Sequence, residues 1–175
     1  MGRDRRDEHR AEQFTKMIRN MMDTPAWRAL TSTAQALYPW VKMEWKGPQN
    51  NNNGRISLPV REAAQKMGCN MKTAARGFHD LQAKGFLILT EHGRMGVEGR
   101  GAPPTYEITE LPPRGSDHSG AKRLYLHWQE GHDYAVRGHA AVNPTGRNGK
   151  LTGESKNKIP SPNMGRVVPI NGTKR

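Results

Sequence analysis

Asn70, Lys72, Thr73, Arg76 and His79 place an amide, an ammonium, a hydroxyl, a guanidinium and an imidazole within one short stretch of chain. Carried on one side of a helix, such long donors and short hydroxyls can reach the edges of bases and the anionic oxygens of phosphates. The same sequence offers no constellation for covalent or acid–base catalysis. Cys69, the single cysteine, has no base partner at a recognisable spacing, no serine sits in a nucleophile-elbow context, and the acidic residues show no paired spacing of the nuclease kind. We therefore expect a binding protein that is not an enzyme. One cysteine also excludes an internal disulfide and any multi-cysteine zinc site, and His127 and His132 miss the i, i+4 spacing of paired ligands. Neither a metal nor another cofactor is expected.

Two helices joined by a tight turn would position this row. The stretch Val60 to His79, VREAAQKMGCNMKTAARGFH, has a small residue, Ala64, where two helices cross, and Gly68 where the turn needs a residue that tolerates positive φ. Ala63, Met67, Ala74, Phe78 and Leu81 recur at spacings that line the inner faces of both helices, leaving Asn70, Lys72, Thr73, Arg76 and His79 on the opposite side of the second. This pattern is that of a helix-turn-helix.

The longer run LPVREAAQKMGCNMKTAARGFHDLQAKGFLILT resembles the winged helix-turn-helix proteins of bacteria, their phages and plasmids, through Thr73, Phe78, Leu81 and Lys84-Gly85-Phe86 leading into a strand. The resemblance covers about Trp27 to Leu111 and extends more loosely to small helix-turn-helix proteins of mobile elements. It implies an α+β fold with a three-helix core and a small antiparallel wing, and sequence-specific binding of double-stranded DNA, as a transcriptional regulator or, alternatively, as a replication initiator or partition factor of a plasmid or phage. Gly77 departs from the pattern, standing mid-helix where a small side chain such as alanine is usual; relative to Ala it lowers helix propensity by about 1 kcal/mol, and close packing against the first motif helix would account for it.

Charge points the same way. Lys and Arg number 28 against 16 Asp and Glu, a net charge of +12 with pI near 10.3, which favours a polyanionic partner. An RNA- or ribosome-binding protein would share that charge but needs exposed aromatics for unpaired bases, a part open only to Trp40, Trp45 and Trp128. With 34% hydrophobic residues and mean hydropathy of −0.89, the chain is expected to have a packed middle and poorly ordered ends. No apolar run approaches the ~20 residues of a membrane span, and Met1 to Arg10 lacks the apolar core of a signal peptide, so a cytoplasmic protein is expected.

Along the chain, Ala11, Phe14, Met17, Ile18 and Met21 predict an amphipathic helix over about Asp4 to Met22, within an N-terminal segment 1–23. Its stripe of Phe14, Met17, Ile18 and Met21 packs either on the domain or on a second copy in a homodimer. The winged domain then spans 24–111. Thr24-Pro25 starts a short helix, and Thr31 or Ser32 caps another carrying Ala34, Leu37, Tyr38, Val41 and Trp45, with a kink expected at Pro39. Trp27, Leu30, Leu37 and Val41 are candidate core residues. Gly47 to Gly54 predicts a surface loop, Arg55 to Leu58 a short strand, and Pro59 the first position of the first motif helix.

Phe86 to Thr90 and Thr105 to Thr109 predict paired strands with Tyr106 and Ile108 inward, joined by a glycine-rich wing whose Arg94 and Arg100 suit the minor groove. These glycines join strand to strand and open no helix, which excludes a phosphate-cradling nucleotide loop. Residues 112–136 read as a linker and a docking segment around LYLHW, in either strand or helix form. Residues 137–175, with Arg147, Lys150, Lys156, Lys158, Arg166, Lys174 and Arg175 against Glu154, read as a disordered basic tail that can add phosphate contacts.

Overall fold

Thr24 and Thr31 each begin a helix by the same device, a hydroxyl that accepts the backbone N–H three residues on. Thr24 Oγ1 accepts from Trp27 N at 3.2 Å and Thr31 Oγ1 from Ala34 N at 3.3 Å. The computed structural model describes residues 14–94, 101–115 and 120–138, all within the first of the chain's two compact units, Met1–Asn143. Among these residues the chain is α+β, in the order α1 (Arg19–Met22), α2 (Pro25–Arg28), α3 (Ser32–Met43), α4 (Val60–Met67), α5 (Met71–Ala83), β1 (Leu87–Glu91), β2 (Thr105–Ile108) and a 3-10 turn at Leu124–Leu126. No helix of the described residues is long and apolar enough to cross a membrane. Helix α3 runs on through Pro39.

The two strands form an antiparallel hairpin in which Leu87 faces Ile108 and Leu89 faces Tyr106. Thr90 is the extra residue of a bulge before Glu91 meets Thr105. The Thr90 hydroxyl lies 2.7 Å from that of Thr105 and donates to Gly54 O at 2.8 Å, so the bulge is anchored. The expected strand Arg55 to Leu58 reduces to one bridge, Ile56 with Tyr106, closed by N–H···O bonds of 3.2 and 2.7 Å. Pro59 is the residue before α4, one place earlier than the first helical position.

Helix α5 packs against α3, α4 and β1. Trp27, Leu30, Leu37, Val41, Ala63, Ala74, Phe78, Leu81, Tyr106 and Ile108 are all buried, as their periodicity predicts, and Met67 is half-buried against them. Trp27, Tyr38 and Phe86 meet edge to face with centroids 5.5 to 5.6 Å apart, and Phe78 stacks on Tyr106 at 5.1 Å. Trp40 and Trp45 are half-buried against the same core, and Trp45 Nε1 donates to Asn51 Oδ1 at 3.0 Å.

Several expectations change. The N-terminal helix begins only at Arg19; residues 14–18 are described and not helical, and residues 4–13 lie outside the described set. The cause is tertiary, for Lys42 Nζ donates to Lys16 O at 2.6 Å, engaging a carbonyl that a helix would need, and Ile18 is extended at φ −92°, ψ 119°. Met21, 2% exposed, belongs to the chain's own core, whereas Phe14 is 89% exposed, so Phe14, Met17, Ile18 and Met21 do not share one apolar face.

The asparagine-rich loop is not merely a surface excursion. Asn53 is buried; its Oδ1 accepts from Ile108 N at 2.8 Å and its Nδ2 donates to Ile108 O at 3.0 Å and Leu111 O at 3.1 Å, which extends the pairing of the sheet through a side chain. Gly77 packs closely against α3, where a Cβ would lie 3.1 Å from Leu37 Cδ2, not against the first motif helix.

Packing on this core continues beyond Pro113. Residues 120–138 return as a strap: Tyr125 stacks on Phe86 at 4.9 Å, and Trp128 is buried with its Nε1 donating to Asp133 Oδ1 at 2.9 Å. The LYLHW stretch docks on the domain as a 3-10 turn, with Leu126 left outside.

Candidate nucleic-acid interface

Asn70 begins α5, its Oδ1 accepting from Thr73 N at 2.8 Å. Ahead of it, Gly68 ends α4 at φ +63°, where its N–H bonds to Gln65 O and the Cys69 N–H to Ala64 O, so the chain reverses within the three residues that separate the helices. Ala64 and Ala74, both buried, sit on the inner faces of α4 and α5.

The back of α5 is fully committed. Ala74, Gly77, Phe78, Leu81, Gln82 and Ala83 are buried, and Asp80 on its flank accepts from the Thr31 N–H at 2.7 Å and the Thr31 hydroxyl at 2.9 Å, tying α5 to the start of α3. Lys72, Arg76 and His79 are exposed; at about 100° per residue, Arg76 and His79 lie within about 40° of Lys72 around the axis. Among the described residues no ion pair engages Lys72, Arg76 or Arg94.

Thr73 and Asn70 do not belong to that row. Thr73 is half-buried and about 100° from Lys72, and the Asn70 oxygen is spent on the cap, leaving its Nδ2 to donate outward. Met71, 59% exposed in the first turn, adds an apolar contact surface beside Lys72. A methionine immediately after a capping asparagine is the signal in the sequence that identifies it.

In the hairpin, Arg94 stands on a paired rung, bonded in both directions to Ala102 at 2.8 and 3.0 Å, so its backbone is held and is not part of a free tip. Arg100 lies outside the described residues.

The strap adds what the motif alone could not reveal. Lys84, at the end of α5, lies 4.7 Å from the Trp128 ring centroid and pairs with Asp133 at 2.6 Å. Asp133 is held below the usual carboxylate range, first by the hydrogen bond from Lys84 and then by that from Trp128, with the charge of His79 contributing in the same direction. Beyond it, Arg137 N donates to Gln82 Oε1 at 3.3 Å, and Gly138 O lies 2.9 Å from His92 Nδ1. Arg137 thereby lies between α5 and His92, which follows β1 toward the hairpin tip. Among the described residues no group of three or more His, Cys, Asp or Glu could hold a metal ion.

Comparison of the chain with protein-family models, with curated proteins and with solved structures finds no match.

Proposed function

We propose that this chain is a winged helix-turn-helix protein that binds double-stranded DNA, with α5 as the recognition helix and the β1–β2 hairpin as the wing, and that it acts as a transcriptional regulator. The observation that carries the reading is the row Lys72, Arg76 and His79, exposed on a helix whose opposite face is locked into the core, with no ion pair engaging Lys72 or Arg76 among the described residues. Rigid backing of this kind is what fixed hydrogen-bond geometry to a base edge demands. Arg76, central in the row, takes a guanine by two parallel bonds. Lys72 and the Asn70 Nδ2 serve phosphates, and Met71 supplies an apolar contact of the sort made to a thymine methyl.

Arg94, on its paired rung, contacts the backbone or a narrow minor groove, and Arg100 follows the same reading. Arg137 stands between the two elements, and the basic residues that follow in the sequence extend the sequence-independent charge. No described tryptophan presents a fully exposed ring for stacking unpaired bases, and the exposed Phe14 lies on neither α5 nor the hairpin, which favours duplex over single-stranded RNA.

Titrating the full chain against labelled random duplex DNA, single-stranded DNA and RNA at several salt concentrations tests the reading. Duplex is expected to bind most tightly, with log affinity falling linearly against log salt at a slope of about −0.9 per phosphate contact. A preference for single strands would overturn it.

A further inference from the structure

Beside the first residue of the Ile56 bridge segment, the surface opens into a basin of about 900 Å³ whose wall carries Lys46, Arg55 and Arg114. None of its lining residues comes from α5 or from the hairpin. Chain direction sets Arg55 apart from the hairpin tip: Ile56 pairs antiparallel with Tyr106 and Ser57 Oγ, on the same wall, donates to Pro104 O at 3.1 Å, so this segment runs tipward and Arg55 stands at its far end. Arg114 follows β2 at that same end.

The frame of the basin is built from asparagine side chains. Asn52 accepts from Lys46 N at 2.9 Å and donates to Glu44 O at 3.0 Å, while Asn51 Nδ2 donates to Pro112 O and Pro113 O at 3.2 and 3.3 Å, just ahead of Arg114. The backbone bearing the cations is thus held from both sides. The one carboxylate on the wall, Glu44, is neutralised by Lys66 at 2.7 Å, and among the described residues no ion pair engages Lys46, Arg55 or Arg114.

Three like charges around one concave surface repel one another, and a multivalent anion at their centre relieves that repulsion. Guanidinium groups match phosphate oxygens by their fork geometry, and a di- or triphosphate has the charge and the oxygens to meet more than one cation at once, which a monovalent anion lacks. We propose that this basin is a binding site for a small ligand bearing a di- or triphosphate group, separate from the duplex-binding surface and independent of that reading.

Isothermal titration of the full chain with inorganic pyrophosphate at fixed salt tests it, using Arg55→Ala/Arg114→Ala beside a control, Arg19→Ala/Arg28→Ala, that removes the same charge from exposed sites elsewhere. All four arginines are exposed, so matched melting curves are expected. The unmodified chain and the control should bind saturably at one site, and the basin variant more weakly by on the order of tenfold or more, because it lacks both guanidinium groups that would donate charge-assisted hydrogen bonds to the anion. Equal binding by all three proteins, or saturable binding by none, overturns the proposal. In a second arm, random duplex should bind the basin variant and the control alike. A selective loss of duplex by the basin variant would make the basin a DNA-backbone contact and would also overturn it.

Discussion

Lys42 and Glu110, 68 residues apart in sequence, form an ion pair of 2.8 Å in which the side chains are 4% and 2% exposed. The Tyr38 hydroxyl donates to the same carboxylate at 2.5 Å, and the third Lys42 bond reaches Lys16 O. The carboxylate and the burial together push the Tyr38 phenol well above its ordinary range, burial being the larger cause.

Lys42→Met should therefore destabilise the protein by about 3 to 5 kcal/mol, because it strands a buried carboxylate. Replacing both partners, Lys42→Met with Glu110→Leu, should recover much of that loss, although the Tyr38 hydroxyl and Lys16 carbonyl then lack partners. Urea unfolding of both variants checks this. A double variant no more stable than the single would show that the charge was not the cause.

Gly77 gives a graded test of the α3–α5 contact. A Cβ there would lie 3.1 Å from Leu37 Cδ2 and 3.4 Å from Thr33 Cγ2, both ends of side chains, so Gly77→Ala sets a propensity gain of about 1 kcal/mol against modest crowding and should change stability little. Gly77→Val adds branches to a filled contact and should destabilise by about 1 to 3 kcal/mol. Thermal melts that rank Val with Ala would place the helix contact elsewhere.

Tyr106 is buried with its hydroxyl lacking a hydrogen-bond partner among the described residues, and burial raises its phenol far above the ordinary range. Below an ordinary phenol pKa of about 10, folded and unfolded chains are both protonated and stability is independent of this group. Above it only the unfolded chain ionises, so stability is lost as pH rises. Tyr106→Phe should raise stability at neutral pH by on the order of 1 kcal/mol and lessen the fall between about pH 9 and 11. Denaturant curves at both pH values check it, and a variant clearly weaker at neutral pH would mean that the hydroxyl has a partner.

The helix pair α4–α5 and its turn were legible because their determinants are local. Ala64, Gly68 and the spacing of Ala74, Phe78 and Leu81 act within α4, α5 and their turn, and each does in the structure what its offset implies. Asn53, Lys42 with Glu110, and the strap around Tyr125 and Trp128 act across 55 or more residues or through aromatic stacking, and such pairings leave no periodic trace. The same limit produced the overlong N-terminal helix. Phe14, Met17, Ile18 and Met21 satisfy helical spacing, but the Lys42 bond to Lys16 and the burial of Met21 decide the conformation there. For the interface, exposure of Lys72, Arg76 and His79 followed from the helix phase. The capping role of the Asn70 oxygen and the paired rung under Arg94 rest on hydrogen bonds that helical or strand periodicity does not encode.

Arg76 is where the account is most exposed to refutation, since it stands centrally in the row and has no acidic partner among the described residues. Duplexes selected from a random library by the full chain supply a preferred site, and the decisive measurement is the affinity of unmodified protein and Arg76→Ala for that site and for random duplex at one salt concentration. The account predicts a loss of about 1 to 3 kcal/mol on the preferred site and much less on random duplex. Equal losses on both would reduce Arg76 to a phosphate contact, and no loss on either would contradict the assignment of α5 as the recognition helix.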